Sequence, residues 1–453
     1  MRRKPSLYAL SVAGVAILVG LLFHASRGLG MPGFSRQTSL PCKSCHYTFP
    51  ELTPFGREFK LNGYTLTGMK QITVKTDHKS DSGMKFLETL PASIIFRMAD
   101  TATSRPQPGT QNWNIEFPEA INFYVTTAIS GHAGADLQIT FTPQGNNFSI
   151  DNSDFRYANR TKLGGKDLRW GFNFDNNPTE EDLWHSTPAW GYPWVGPDSA
   201  PVPAAAPFIN GTLSRDVGGL GVYALWNNHL YGDFTTYHSM HLGSPQPPTG
   251  AGYAYNIHGV APYWRLAWQQ SMGRNYLEVG TYGMYMSSSP GTVVGPTDTY
   301  TDVAADLQYE YAPRFRQGDE LTLHSTYIHQ SSNLNATFAA GGAGMIAHHL
   351  NTFRADGTYH FGSKYAATFG GFATGGTSDH VLFAESALTG SANGSPKSNG
   401  YIGQFSYWPI QNVLLTAQYT GYVNFNGAGT NYDGSGRGAS NNNTVFLLLY
   451  LTF

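Results

Sequence analysis

The chain has 453 residues, enough for two or three ordinary soluble domains, so length alone bounds little. Charged residues make up only 13% of it against 14% aromatics, and 28 basic residues face 30 acidic ones, so the basic surplus expected of a nucleic-acid partner is absent. A mean hydropathy of −0.29 would ordinarily mean a soluble protein, but 52 Gly, 27 Tyr and 27 Phe fit a transmembrane β-barrel, whose lipid-facing and lumenal residues average out.

Residues 1–30 read as an export signal. Arg2, Arg3 and Lys4 precede an apolar run from Leu7 to Phe23, and the small and polar stretch from Ala25 to Gly30 follows. Cleavage is expected between Arg27 and Met31. The run approaches the roughly 18 apolar residues of a spanning helix, so an uncleaved anchor is the competing reading. Gly14 and Gly20 interrupt it, which favours the signal.

The only two cysteines, Cys42 and Cys45, stand immediately before His46 in the run Pro41-Cys-Lys-Ser-Cys-His. This is the attachment motif of a c-type haem, in which each thiol joins a haem vinyl group and the adjacent imidazole becomes the proximal iron ligand. A structural zinc site needs four ligands and a second half-site, and a thioredoxin-like pair needs a βαβ surround. Neither is present here. A plain disulfide is what remains if haem is never attached.

After the motif, Thr53 and Pro54 read as an N-cap and a first helical position, and Gly63 as the stop. Phe55 and Phe59 then share one helix face, available either for packing or for contact with a macrocycle. Arg57 and Lys60 are candidates for haem propionates or for a solvated surface. Residues 31–88 form a cytochrome segment too short and too poor in aliphatics to bury a haem alone. The remainder, 89–453, is the expected cover.

That remainder alternates with period two. Ala135, Leu137, Ile139 and Phe141 alternate with Asp136, Gln138, Thr140 and Thr142; Leu168, Trp170, Phe172 and Phe174 alternate with polar partners that include Arg169. Trp264, Leu266 and Trp268 flank Arg265, and Ala305, Leu307, Tyr309 and Tyr311 flank Gln308. About 16 strands are predicted, over 93–102, 119–131, 134–143, 149–162, 166–177, 216–227, 229–240, 259–271, 274–287, 299–312, 317–331, 350–362, 364–376, 398–409, 411–425 and 442–453. A soluble sandwich also alternates, so the loops decide. Tight connections such as Gly164-Gly165 and Asn227-Asn228 alternate with long ones such as 178–215, which is the outer-membrane pattern, although the short 144–148 connection breaks it. The predicted fold is mainly β, a transmembrane antiparallel barrel with a small haem-binding segment at its N-terminus. Val445, Leu447, Leu449, Leu451 and Phe453 line one face of the last strand, and a terminal Phe there resembles the recognition signal of outer-membrane barrels.

The stretch from Met31 to Leu66, with Phe34-Ser-Arg-Gln-Thr before the haem motif and Phe49-Pro-Glu-Leu-Thr-Pro-Phe-Gly-Arg-Glu-Phe after it, resembles the fused cytochrome-porins of the outer membrane. The resemblance is close over that stretch of about 35 residues alone; elsewhere it extends only to architecture and length. It implies one covalent haem c on Cys42 and Cys45, His46 as proximal ligand, and a Fe(II)-oxidising activity. The distal position is open among Met31, Met69, Met84 and His78, with Met69 favoured because the chain can fold back beyond Gly63. The expected partners are an extracellular donor such as Fe(II), a periplasmic electron carrier and the outer membrane. His324, His329, His348 and His349 read as surface or lumenal residues. Glu180, Glu181 and Asp182 read as a solvated acidic loop that also offers oxygen ligands to Fe(II). The alternative function is a diffusion channel with the haem segment as plug or sensor; a soluble periplasmic cytochrome with a β-sandwich is a third reading. The segment 31–88 is predicted to enter the lumen, with Arg169, Arg265 and Gln308 as candidate contacts.

Overall fold

The computed structural model describes residues 33–67, 69, 90–107, 109–240, 255–290, 295–314 and 316–453. The export signal, Met31, His78 and Met84 lie outside the described residues. Among those described, no helix is long and apolar enough to cross a membrane.

Seventeen strands form one sheet. They are β1 (Ala92–Thr103), β2 (Asn114–Ala128), β3 (Ala133–Thr142), β4 (Asn147–Leu163), β5 (Lys166–Asp175), β6 (Val217–Trp226), β7 (Leu230–Ser239), β8 (Tyr255–Ile257) and β9 (Ala261–Met272). There follow β10 (Asn275–Pro290), β11 (Asp298–Tyr311), β12 (Glu320–Asn333), β13 (Ala347–Phe361), β14 (Tyr365–Gly376), β15 (Ser398–Ile410), β16 (Val413–Asn424) and β17 (Thr444–Thr452). Apart from β8, across which β7 pairs with β9, each pairs antiparallel with its sequence neighbours, and β17 pairs with β1, so the sheet closes on itself and leaves no edge. The three-residue β8 pairs with β10 just beyond the stretch that β9 pairs with, so the two continue one line and the barrel has sixteen staves. A two-sheet sandwich is thereby excluded.

The predicted boundaries match within three residues except at β2, which starts at Asn114 rather than 119. The difference falls at Pro118, a residue that donates nothing to a ladder. It sits where the β1–β2 register shifts, between the pairs Arg97–Ala120 and Ala99–Glu116, a place that tolerates it.

The sequence pattern maps onto the barrel with the polar face inward. Phe172 and Phe174 are 47% and 50% exposed on the outside, whereas Asn173 and Asp175 between them are each 1% exposed. Arg265, Glu278 and Gln308 are wholly buried. Charged residues almost never fill the core of a water-soluble protein, so this inversion suits a barrel whose outer face meets lipid.

One end of the barrel carries short turns. Asn227-Asn228 and Gly164-Gly165 all have positive φ, the conformation that two-residue hairpins need to match strand twist. The other end carries the long connections, including 176–216, 334–346, 377–397 and 425–443. His348 and His349, predicted in a loop, belong to the start of β13, where His348 faces Asp379 at 2.9 Å and His349 Nδ1 meets Thr377 Oγ1 at 2.8 Å. His329 Nδ1 is 2.8 Å from Asn351 Oδ1.

Candidate functional site in the lumen

Residues 33–67 sit inside the barrel near the short-turn end as three short helices, α1 (Gly33–Thr38), α2 (Cys42–Cys45) and α3 (Pro54–Leu61). The predicted helix is α3. Thr53 caps it by accepting from the Gly56 amide at 3.1 Å, and Gly63 beyond its end has φ +66°.

Ion pairs and hydrogen bonds tie this plug to the wall all the way round. Gln37 Nε2 donates to Thr126 O at 2.7 Å, Lys43 donates to Ser363 O in a short turn, and Tyr64 donates to Asp154 at 2.7 Å. Glu58 pairs with Arg169, as the sequence suggested for that arginine. Arg57 pairs with Glu310 and lies 4.3 Å over the Tyr276 ring. Both Arg57 and Lys60 are therefore buried and engaged, at 5% and 3% exposure, rather than solvated. Glu51, fully buried, stands between His324 at 3.6 Å and His360 at 3.5 Å, and His324 reaches Asp356 at 3.3 Å on its other side. Among the described residues, no group of three or more His, Cys, Asp or Glu forms a metal cage.

The connection 176–216 does not stay outside. It folds into the lumen from the long-loop end and meets the plug. The acidic run predicted to be solvated is buried there, with Glu180, Glu181 and Asp182 at 3% exposure or less. Their positions follow from buried cations. Asp182 lies 3.2 Å from Arg265, which also pairs with Glu278 at 3.2 Å and Asp306 at 2.7 Å. Arg156 Nη2 donates to Glu181 O at 3.0 Å, and Lys60 Nζ donates to the carbonyls of Glu180 at 2.6 Å and Asp182 at 2.9 Å. Arg265 thus contacts this inserted connection rather than the plug. Gln308 serves Glu310, donating to it at 2.9 Å. Burial pushes the Glu180 and Glu181 carboxyls well above their ordinary range, with neighbouring carboxylates adding to the rise.

A cavity opens where plug, wall and inserted connection meet. Cys42, Cys45 and His46 line it, together with Phe49, Phe55, Phe59, Tyr124, Tyr450, His185 and Trp190. The two cysteines are free thiols, three positions apart on one helical turn and so on one face. His46 Nδ1 donates to Pro50 O at 3.3 Å, which fixes the tautomer carrying its lone pair on Nε2. Burial lowers the His46 pKa to about 4, against the opposing hydrogen bonds to the Pro50 and Glu51 backbone, so the ring is neutral at pH 7. Free paired thiols, a neutral oriented imidazole and aromatic walls are the donor set and surround that a c-type haem takes.

Met69 stands elsewhere. It is 8% exposed in a cluster with Phe59, Tyr64 and Ala128, and it is not part of the cavity lining. Two lining residues went unnoticed in the sequence, His185 and Trp190. Their rings stack at 3.5 Å and 6°, His185 Nδ1 donates to the same Pro50 carbonyl at 2.8 Å, and Lys60 Nζ lies 4.2 Å over Trp190. The available signal was the density of aromatics just after the acidic run: Trp184, Trp190, Tyr192 and Trp194.

No family model matches the chain, and no curated protein sequence matches it. Solved structures similar to it include in-vitro folded OmpT, an outer membrane protein of Vibrio cholerae, at 9% identity and TM-score 0.43, covering 81% of this chain and 97% of that one. The outer membrane channel DcaP of Acinetobacter baumannii has 11% identity and TM-score 0.44, with 80% and 96% covered. An anion-selective porin from Comamonas acidovorans has 11% identity and TM-score 0.45, with 80% and 100% covered.

Proposed function

We propose that this chain is an outer-membrane barrel that holds one covalent haem c in its lumen and passes single electrons from an extracellular donor, Fe(II) being the expected one, to a periplasmic carrier. The observation that carries the reading is the convergence of Cys42, Cys45 and His46 on one aromatic-lined cavity inside the barrel. When bound, the haem supplies a one-electron couple whose potential depends on axial ligation, hydrogen bonding and burial.

The chain's own residues have separable tasks in this reading. Cys42 and Cys45 hold the group by thioethers, and His46 presents Nε2 because Pro50 occupies Nδ1. The inserted connection, through His185 and Trp190, covers the cavity from the long-loop side and keeps water from it. A haem held inside the lumen by residues 33–67 would have a shorter path from outside than one at the periplasmic mouth alone, since the apolar band of such a barrel is about 25 Å tall.

The test is spectroscopic. Membranes containing the chain should show a c-type absorption spectrum that survives acid-acetone extraction and is reduced by Fe(II). Cys42→Ala or Cys45→Ala should weaken or abolish retention of the haem. Pigment that extracts freely from the unaltered protein would sink the covalent assignment.

A second reading, a diffusion channel with the haem segment as plug, draws on a cleft of about 550 Å³ left between residues 187–206 and the wall. High, steady conductance of the intact chain in planar bilayers would favour it; a closed barrel with Fe(II)-reducible haem favours the conduit.

A further inference from the structure

The cleft on the long-loop side has a chemistry of its own. Its inner surface is the proline-rich stretch from Thr187 to Ala206, in which Pro188, Pro193, Pro197, Pro201 and Pro203 restrict the backbone. Its wall is largely neutral and hydroxylic, with Thr326, Thr352, Thr374 and Thr420 facing in. Trp190 lines both this cleft and the cavity that His46 faces, and is the residue common to the two linings.

Three charged side chains line the cleft: Arg97, Asp198 and Arg354. Arg97 is committed, with Glu119 at 2.9 Å and Asp198 at 3.8 Å. Arg354 differs. It is exposed to the cleft, its guanidinium lies 5.9 Å from the Tyr192 ring, and among the described residues no carboxylate pairs with it. The Tyr192 hydroxyl donates to the Arg354 carbonyl at 3.0 Å and so ties the inserted stretch to this strand without engaging the guanidinium. A planar, permanently charged fork with free donors, set among hydroxyls, matches a carboxylate better than any neutral or cationic group. The volume lies within the roughly 300–1,000 Å³ of small-molecule sites.

We propose that this cleft binds a small polycarboxylate, anchored by Arg354 and hydrogen-bonded by the threonine wall. Taken with the electron-conduit reading, on which this part rests, the donor reaches Trp190 as an anionic iron–carboxylate complex rather than as the hydrated cation, which the Arg354 guanidinium repels. The bound iron would give up one electron, Fe(II) becoming Fe(III), and the oxidised haem that Cys42, Cys45 and His46 would hold would supply the acceptor; the carboxylate would leave unchanged.

The experiment uses the full-length, haem-loaded chain in detergent and citrate as the probe. Calorimetric titration should show saturable binding absent from a sodium chloride control of equal ionic strength. Arg354→Gln should weaken it by about tenfold or more, as expected for loss of a charge-assisted pair, and Arg354→Lys should recover only part. Arg354 is exposed, so heat-modifiable migration of the variants should match the unaltered chain. Citrate binding that is no stronger than the salt control, or undiminished in Arg354→Gln, overturns the proposal. Fe(II) reduction of the haem is measured in parallel. Citrate bound with the haem left oxidised keeps this site and sinks the conduit; reduction by Fe(II) without citrate binding keeps the conduit and sinks this site.

Discussion

Replacing Arg57 with Met tests whether the plug is held by its buried charges. Arg57 pairs with Glu310 where both side chains are 6% exposed or less, donates to Leu52 O at 3.1 Å, and covers the Tyr276 ring. Methionine keeps much of the volume and removes the charge, leaving Glu310 buried with the Gln308 amide at 2.9 Å and the Tyr47 hydroxyl at 3.3 Å as its remaining donors. Stranding one partner of a buried pair costs about 3–5 kcal/mol, and the two surviving donors argue for the lower end. About 3 kcal/mol is roughly a hundredfold change in an equilibrium, so plug release should become about a hundred times more frequent. Single-channel recordings in planar bilayers read this as openings of a barrel that is otherwise shut. The double replacement Arg57→Met with Glu310→Leu removes both charges and should restore most of the closed time, since an apolar pair of similar volume is often no less stable. Opening frequency unchanged in the single variant, or a double variant as leaky as the single, would refute the account.

Three further outcomes follow from the same geometry. Burial, reinforced by nearby Arg156, lowers the Lys60 pKa to about 8, so folding penalises its charged form; the penalty is complete below pH 8 and vanishes as pH rises towards the ordinary value of 10.5. The urea midpoint should therefore climb between pH 8 and 10 in the unaltered chain more than in Lys60→Met, a difference of about 3 kcal/mol at most; equal slopes would remove Lys60 from the account. Met69→Ala should loosen the plug by about 2–3 kcal/mol in urea unfolding yet leave the visible spectrum of the holoprotein unchanged, because Met69 packs on Phe59 and Tyr64 outside the cavity. Trp190→Ala should join the cleft to the cavity and raise solute flux in liposome swelling assays; a flux identical to that of the unaltered chain would mean that another side chain closes the passage.

The strands were legible because alternation is a local signal. Phe172, Asn173, Phe174 and Asp175 declare two faces without any reference to the rest of the chain, and the Asn-Asn and Gly-Gly pairs mark turns whose φ values few other residues adopt. The Thr53-Pro54 start of α3 is equally local. What local signals do not carry is which residues of one segment meet those of another. Glu180, Glu181 and Asp182 look the same in sequence whether they face water or a buried arginine, and the arginines that hold them, Arg156 and Arg265, lie on strands β4 and β9. His185 escaped notice for the same reason: its place beside His46 is made by a fold-back of more than a hundred residues onto the carbonyl of Pro50.

The lumen also explains why so charged a segment sits inside. In a soluble protein the cost of burying Arg57, Lys60, Arg156 and Arg265 would be avoided by turning them outward. Here outward means lipid, where the cost is larger, so the strands have only the lumen in which to place polar residues. Once the wall is lined with Asp154, Glu278, Asp306 and Glu310, anything that enters must bring cations and hydrogen-bond donors to match. The plug brings Arg57, Lys60 and Tyr64, and the inserted connection brings the Asp182 carboxylate to Arg265 and the Glu181 carbonyl to Arg156. Complementarity of this kind specifies position closely, because a shift of one helical turn would strand several buried charges at once. A covalent redox group placed by such a plug would be held at a fixed depth in the barrel, which is what transfer of an electron across a membrane requires of it.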